Sequence, residues 1–291
     1  MNSCTKNIRY INEHQSFFKA NNLFPMDEFK NIVSTTPNAL IECSSKVSKN
    51  IVYSNRFNLW FPKPNSKDQV NTAMNFLGEI EKTANIHFDM DLFYKFYDSG
   101  FKWSGIRYFV IGLDIREDFF SSRLKIWFIL SNYNKKKELA INLYGNLPEI
   151  RSLFFHDEII VGFDFFFDGR SIIKLYPDII RQELDNKLIL NKAGKILHPK
   201  ALELAKDSYW MHIYYSRNNN GRILQLHTKN MEPFLKLLPD NEEKLFRKLC
   251  NEKKLPCAIF AFNEDDIIKN EIETWSFYYM PQCVEQLNLL I

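Results

Sequence analysis

Cationic side chains recur at alternate positions of segments that are rich in aromatic and β-branched residues. In "SRLKIWFIL" (122–130), Lys125 is two positions from Trp127, and in "RSIIKLY" (170–176), Arg170 is four positions from Lys174. Strand side chains alternate between two faces, so these cations share a face with rings while the opposite face is mostly apolar. Cations that converge without matching carboxylates favour a polyanion, most simply phosphate or diphosphate.

One carboxylate follows the same pattern. In "ALIECSSKV" (39–47), Glu42 and Lys46 lie on one strand face, shortly before Arg56. A carboxylate among cations is suited to accept a proton. The candidate site thus has one base, Glu42, and a set of cations: Lys46, Arg56, Lys125, Arg170 and Lys174, joined by Arg217 and His227 from a later segment.

Five segments have the pattern of paired strands, and amphipathic helices separate them. The paired strands are expected within 38–61, 107–130, 160–176, 208–229 and 256–280. Asp168-Gly169 is a strong two-residue hairpin turn. Helices are expected at 11–34 with a break at Pro25, and at 71–82, 91–99, 135–145, 177–190, 198–207 and 241–250.

This alternation predicts an α+β fold in one domain over residues 1–291. Ten antiparallel strands in five hairpins invite closure into a barrel, because closure removes exposed sheet edges. A ten-stranded barrel leaves a lumen, and a ring of outer helices covers its apolar face. In this interpretation the mixed faces point inward. The alternative is an open sheet whose mixed face is solvated.

Composition excludes several classes of protein. Of the 291 residues, 45% are hydrophobic, which is enough for a full core, and 15% are aromatic. The net charge of +3 is too small to argue for nucleic acid. No signal peptide or membrane span is apparent, and five scattered cysteines without C-x-x-C indicate reduced thiols. We therefore expect a cytoplasmic monomer with no membrane partner.

Common catalytic and nucleotide motifs are missing. There is no G-x-x-x-x-G-K-[ST], G-x-G-x-x-G, H-E-x-x-H or G-x-S-x-G. Six dispersed histidines make a zinc cluster improbable, and no protein metal ligands are expected. "NEDDIIKNE" (263–271) hints at an aspartate-rich diphosphate–Mg²⁺ motif, but it lacks a third spaced Asp. A solvated hairpin loop is the favoured interpretation of that segment.

Several stretches resemble one known family. "GLDIREDFFSSRLKI" (112–126), "GFDFFFDGRSIIKLY" (162–176), "SRNNNGRILQLHTKN" (216–230) and "LIECSSKVSKNIVYSNRF" (40–57) resemble the cyanobactin prenyltransferases, the peptide-modifying branch of the ABBA prenyltransferases. The matching blocks run in order from about residue 40 to 280.

The resemblance implies a ten-stranded αββα barrel. It implies transfer of an allylic group from dimethylallyl or geranyl diphosphate, with Mg²⁺, to a ribosomally made and often macrocyclic peptide. Glu42 matches the family's acceptor-side carboxylate. The basic positions of the family's diphosphate pocket correspond to Arg56, Lys125, Arg170, Arg217 and His227.

The resemblance also assigns the prenyl side of the site. Its implied aromatic walls, which shield the allyl cation from water, are Trp127, Tyr214 and Tyr278. His212 and Ile259 stand where bulky aromatics often limit the prenyl tail, so donor length stays open. Trp127 departs from the polar or basic residue that is usual at its position.

Three other functions remain open at this point. The same barrel could prenylate a small aromatic metabolite, and turnover of peptides against free indoles or phenols separates these two activities. A non-catalytic barrel could bind an anionic lipid or nucleotide without releasing diphosphate. An open-sheet interaction protein would expose Lys125 and Trp127 to solvent.

Overall fold

The computed structural model describes residues 3–62, 67–98, 100–215 and 221–281. Its eleven strands are Leu40–Ser48 (β1), Ile51–Pro62 (β2), Ile106–Asp114 (β3), Arg123–Leu130 (β4), Ile159–Phe166 (β5), Ser171–Tyr176 (β6), Asp178–Ile180 (β7), Trp210–Tyr215 (β8), Arg222–Thr228 (β9), Ala258–Asn263 (β10) and Thr274–Tyr279 (β11).

The helices in the same ranges are Ser3–Phe18 (α1), Met26–Thr35 (α2), Lys67–Ala84 (α3), Asp91–Phe96 (α4), Asn134–Tyr144 (α5), Pro148–Ser152 (α6), Lys187–Ala193 (α7), Pro199–Ala205 (α8), Glu232–Leu235 (α9), Asp240–Lys253 (α10) and Glu264–Lys269 (α11). Short 3₁₀ helices cover Trp103–Gly105, Phe119–Ser121 and Arg181–Asp185. No described helix has the length and apolar character needed to span a membrane.

All five predicted hairpins are present, as β1–β2, β3–β4, β5–β6, β8–β9 and β10–β11. Gly169, in the Asp168-Gly169 turn of the third hairpin, has a φ of +88°, a conformation that glycine adopts without steric cost. The expected strand count of ten is wrong, since the described residues form eleven strands.

The additional strand, β7, lies where a helix was expected over 177–190. Asp178, Ile179 and Ile180 pair with β8 instead, and Ile179 is buried. The Trp210 indole also donates to the Asp178 carboxylate at 2.8 Å. Helical periodicity in the sequence was therefore overridden by pairing with a distant strand, and the α-helix begins only at Lys187.

The chain divides into two compact units. Unit 1 comprises residues 1–43, 53–147 and 157–175, and unit 2 comprises residues 44–52, 148–156 and 176–291. Strand order in unit 1 is β6–β5–β4–β3–β2–β1. In unit 2 it is β11–β10–β9–β8–β7, with the end of β1 beside β11.

Helices cover the apolar sheet face of unit 1, as the alternating pattern predicts. Phe93 and Phe96 of α4 pack on Phe128 of β4 and Phe163 of β5 with ring centroids 5.5–6.2 Å apart. These four rings are fully or almost fully buried. Burying such aromatic area fixes which face of the sheet meets the helices.

Unit 2 is built in the same way. Phe246 of α10 packs edge-on against Trp275 and Phe277 of β11 at 4.5 and 5.3 Å. The Trp275 indole donates to Glu242 of α10 at 2.6 Å, so the buried polar atom of the ring is satisfied.

Segment 263–271 is not the solvated loop that we expected. It forms α11, whose first residue, Glu264, is 1% exposed. The Glu264 carboxylate accepts from the His198 backbone N–H at 2.6 Å and pairs with Arg222. Its acidic start therefore has a structural role.

Candidate functional site

The strand register of unit 1 gathers the charged residues into rows on one sheet face. Asn58, Gly112, Lys125 and Asp164 are register partners across β2–β5. Arg56, Asp114 and Arg123 form the adjacent row. Residues that are paired across strands, or two apart along a strand, share a face. The side chains of both rows therefore point to the same side of the sheet.

This face is buried. Lys125 is 3% exposed, Arg56 2%, and Glu42 4%. These values contradict the alternative of a solvated mixed face, in which Lys125 would be exposed. Charged side chains are almost never buried unless they are paired or bind a ligand.

Asp114 is the centre of an ion-pair network that the sequence analysis missed. Its carboxylate contacts Arg56 at 3.3 Å, Arg116 at 2.8 Å and Arg123 at 2.9 Å. Burial alone raises the pKa of Asp114, but these three guanidinium groups hold that pKa well below its ordinary value. Asp114 is therefore ionised throughout the physiological pH range.

Asp164 on β5 extends the network. Its carboxylate forms ion pairs with Arg123, at 3.0 Å, and with Lys174. Burial again raises its pKa, while Lys174 and Arg123 lower it to a value below the ordinary one. The predicted Lys174 thus lies in the buried group, together with an unpredicted partner.

Lys125 lies in the same rows but forms no ion pair within the described residues. Its ammonium nitrogen lies 5.6 Å from the centre of the Trp127 ring. Burial, followed by repulsion from Arg56, lowers the pKa of Lys125 well below its ordinary value. A nearby anion would relieve both effects.

Five cations therefore surround two buried aspartates. The cations are Arg56, Arg116, Arg123, Lys125 and Lys174. Four of the five cations pair with the two aspartates, and three of the five, Arg56, Lys125 and Lys174, are buried. Several cations gathered in one place favour a polyanion such as diphosphate as their ligand.

Glu42 lies beside the cations on β1. The Asn58 side-chain N–H donates to its carboxylate at 2.5 Å. Burial raises the pKa of Glu42 to about 7, against the opposing effects of the Asn58 hydrogen bond and of Lys125 and Arg56. A carboxyl group with this pKa exchanges a proton near neutral pH, as a general base requires.

Two tryptophans border the charged rows. Trp60 and Trp127 are register partners of Val110 on either side of β3. The indole nitrogens of both rings are buried and have no hydrogen-bond partner among the described residues. Unpaired buried donors of this kind are typical of a site that receives a ligand or water.

Two other predicted diphosphate ligands are not in this group. Arg170 pairs with Asp168 in the hairpin turn at 2.6 Å, and its side chain is 57% exposed. It precedes β6, so strand alternation does not govern its direction. Arg217 lies outside the described residues.

The predicted residues of unit 2 lie on a second sheet face. Trp210, His227, Ile259 and Tyr278 form one cross-strand row. His212 Nδ1 lies 2.9 Å from His227 Nε2. The Trp210 ring is 4.4 Å from His212 and 5.1 Å from His227. Aromatic and imidazole rings dominate this face.

His227 does not supply the positive charge that was expected of it. Burial lowers its pKa to about 3 and also lowers the pKa of His212, which is further lowered by His227. Both imidazoles are therefore neutral at neutral pH. Tyr214, also predicted, stacks on Tyr176 at 5.3 Å.

The residues that the sequence analysis missed had detectable signals. Arg123 shares strand parity with Lys125, and Asp164 alternates with Gly162 in "VGFDF". Asp114 ends its strand two residues after Gly112. The ion pairs between these residues depend on register, which composition and spacing do not reveal.

The described residues offer no group of three or more His, Cys, Asp or Glu side chains that could hold a metal ion. Asp114 and Asp164 are already engaged by cations. The four described cysteines, Cys4, Cys43, Cys250 and Cys257, are not in disulfide bonds. The protein side chains described therefore do not fit a dedicated Mg²⁺ site.

Comparison with known proteins gives a family and a fold. The model of the "Family of unknown function (DUF5838)" matches residues 5–281. A search of curated protein sequences finds no significant match.

Among solved structures, one similar chain is the 6-dimethylallyltryptophan synthase from Micromonospora olivasterospora in complex with DMASPP and Trp. Its TM-score is 0.56 at 8% identity, over 97% of this chain and 98% of that one. Another, 6-dimethylallyl tryptophan synthase, gives 0.54 at 8% identity, over 97% and 96%. At this identity the likeness shows the fold alone, and it is the ABBA fold that we expected.

Proposed function

Since this chain belongs to the family of unknown function DUF5838, we propose its activity from its own site: transfer of an allylic isoprenoid from its diphosphate to an aromatic acceptor. The observation that carries the proposal is the cluster of five cations, three of them buried, that lies beside Glu42 in unit 1. The fold shared with two dimethylallyltryptophan synthases supports it.

The cations of unit 1 bind the diphosphate in this proposal. Lys125, Arg56 and Lys174 were predicted for this role, and Arg116 and Arg123 join them through their pairs with Asp114. Each of these cations can donate a charge-assisted hydrogen bond to a diphosphate oxygen. Arg217 keeps its proposed role as a ligand, whereas we propose none for Arg170.

The reaction breaks the allylic C–O bond, and its electron pair leaves with the diphosphate oxygen. The allyl carbon then forms a bond to the aromatic acceptor, which loses a proton to the Glu42 carboxylate. Cations stabilise the charge that develops on the leaving group. Trp127 faces the allyl cation through cation–π attraction and excludes water, since hydrolysis is the competing outcome.

The second face, in unit 2, keeps the prenyl-side roles that the sequence resemblance implies. The residues concerned are Tyr214, Tyr278, His212 and Ile259. Mg²⁺ also remains part of the proposal on that resemblance, but we assign no step to it, because the described side chains build no site for it.

The acceptor class separates the two candidate activities. A neighbouring structure in complex with Trp supports a small aromatic acceptor. The sequence blocks that resemble cyanobactin prenyltransferases support a peptide acceptor. We propose the small aromatic acceptor first, because the structural likeness extends over 97% of the chain.

The decisive assay incubates the protein with five-, ten- and fifteen-carbon allylic diphosphates and two acceptor panels. One panel holds tryptophan, indoles and phenols, and the other holds linear and cyclic peptides that contain Tyr or Trp. Mass spectrometry and diphosphate release are measured together. Prenylated tryptophan or indole supports the proposal. If only peptides are prenylated, the acceptor is a peptide and the small-acceptor proposal is wrong. Donor binding without diphosphate release in either panel rejects catalysis.

A further inference from the structure

Asn58 contacts Glu42 with one end of its amide and Gly112 with the other. Nδ2 donates to the Glu42 carboxylate at 2.5 Å. Oδ1 is buried and has no hydrogen-bond partner among the described residues. Asn58 itself is 1% exposed. The amide is therefore held in place without a second hydrogen bond.

Gly112 makes room for this amide. A Cβ at position 112 would lie 2.2 Å from Asn58 Oδ1 and 3.3 Å from its Cγ. The distance to Oδ1 is shorter than real Cβ contacts allow and the distance to Cγ is tight, so any side chain at 112 would displace the amide. Gly112 is the register partner of Asn58 on one side and of Lys125 on the other.

The orientation of the amide is set by chemistry. An ionised carboxylate only accepts hydrogen bonds, so Nδ2 must face Glu42, and a flipped amide would bring Oδ1 against a carboxylate oxygen. A donor that faces Glu42 favours the ionised form over the protonated form.

We infer that Asn58, seated over Gly112, is the positioning residue that orients the Glu42 carboxylate and keeps it available as a proton acceptor. The role of Glu42 as base rests on the proposed function, whereas the pairing itself does not. Lys125 on β4 and Arg56 on β2 also face Glu42 and favour its ionised form. Asn58 adds a directed hydrogen bond, which neither charge supplies.

The first measurement needs no substrate. NMR titration of protein with ¹³C-labelled glutamate carboxyls follows Glu42, whose signal is identified by its loss in Glu42→Gln. The Glu42 pKa is about 7 in the unaltered protein. Asn58→Ala and Gly112→Ala should each raise it by about one, since each removes or misplaces a hydrogen bond to a charged group.

Gly78→Ala is the matched control, because a Cβ there meets nothing within 4 Å. It should leave the Glu42 pKa unchanged. An unchanged pKa in both Asn58→Ala and Gly112→Ala overturns the inference. If Asn58→Ala does not fold, an unchanged pKa in Gly112→Ala alone overturns it.

The second measurement tests whether the Asn58–Glu42 hydrogen bond affects catalysis. The acidic limb of the pH profile of kcat/KM should move upward with the Glu42 pKa in both variants, and activity should recover above pH 8. A merely structural role would lower activity equally at all pH values and would overturn the inference. If no acceptor is turned over by any variant, the proposed function fails, while the titration still decides the Asn58–Glu42 relationship.

Discussion

The Lys125 ammonium lies 5.6 Å from the centre of the Trp127 ring, and the pyrrole edge of that ring lies directly over Gly162. The indole thus faces a buried cation of the protein. A ring in this environment can also stabilise a cationic ligand fragment. This pair connects the cationic rows of unit 1 with their aromatic border.

Lys125→Ala and Arg56→Ala should each weaken donor use by about ten- to a hundredfold. Each variant removes one charged contact to the diphosphate, worth about 1.5–3 kcal/mol. Donor KM and calorimetric binding of inorganic diphosphate measure the effect. Arg107→Ala is the control, because Arg107 pairs with Glu158 at 2.9 Å on the same sheet, outside the group of five cations. Unchanged donor kinetics in the first two variants would contradict the assignment.

Glu42→Gln should lower transfer to the acceptor at least ~100-fold, since the variant has no general base. The glutamine oxygen can still accept from Asn58, so fold and diphosphate binding should stay near those of the unaltered protein. Single-turnover rates and calorimetry separate the two effects. Near-normal transfer would show that Glu42 is not the base.

The same variant tests the raised pKa of Glu42. Burial raises that pKa from 4.5 to about 7, so the folded state binds the proton more tightly than the unfolded chain. The contribution of Glu42 to the free energy of unfolding should therefore fall by up to about 3 kcal/mol as pH rises from about 4.5 to 7. Glu42→Gln removes this loss. Urea denaturation at several pH values should show its relative stability growing over that range and then levelling.

Gly162→Ala should displace Trp127, because the new Cβ would lie 2.3 Å from Cδ1 and 2.4 Å from Nε1 of the indole. We expect a loss of about 1–3 kcal/mol in stability. The share of donor that is hydrolysed should rise relative to the share that is transferred. Gly78→Ala serves as the control. If the ratio of hydrolysed to transferred donor is the same in Gly162→Ala as in the unaltered protein, Trp127 does not shield the allyl cation.

The neutral histidine pair should make the protein sensitive to acid. Burial lowers the pKa of His227 from 6.5 to about 3, so this group contributes stability above pH 6.5 that is lost as pH falls towards 3. Between pH 6.5 and 4.5 the loss should be about 2 kcal/mol. His227→Gln should flatten this part of the stability profile. A profile equally steep in the variant would mean that other groups dominate.

Chelation tests the proposed Mg²⁺. Because the cations of unit 1 are proposed to bind the diphosphate directly, EDTA should change the Kd of diphosphate by less than about threefold. Calorimetry with and without added Mg²⁺ measures this directly. A loss of diphosphate binding in EDTA would show that Mg²⁺ is required for that binding.

The helical spacing and the strand alternation of apolar residues were sufficient to predict much of the fold. Alternation within 122–130 determined that Lys125 and Trp127 share one face and Phe128 the other. Turn chemistry at Asp168-Gly169 placed a hairpin, and the spacing of apolar residues in 71–82 placed α3. These are local properties, because each depends on residues within a few positions of one another.

Tertiary structure decided the rest. Strand pairing brought Asp114 beside Arg56 and Asn58 against Glu42, and each of these contacts joins residues of two different strands. Pairing with β8 converted 178–180 from expected helix to strand. Burial lowered the pKa of His227, so that its imidazole is neutral, and raised the pKa of Glu42. Proton affinity depends on surrounding charge and solvent, and those surroundings exist only once the chain has folded.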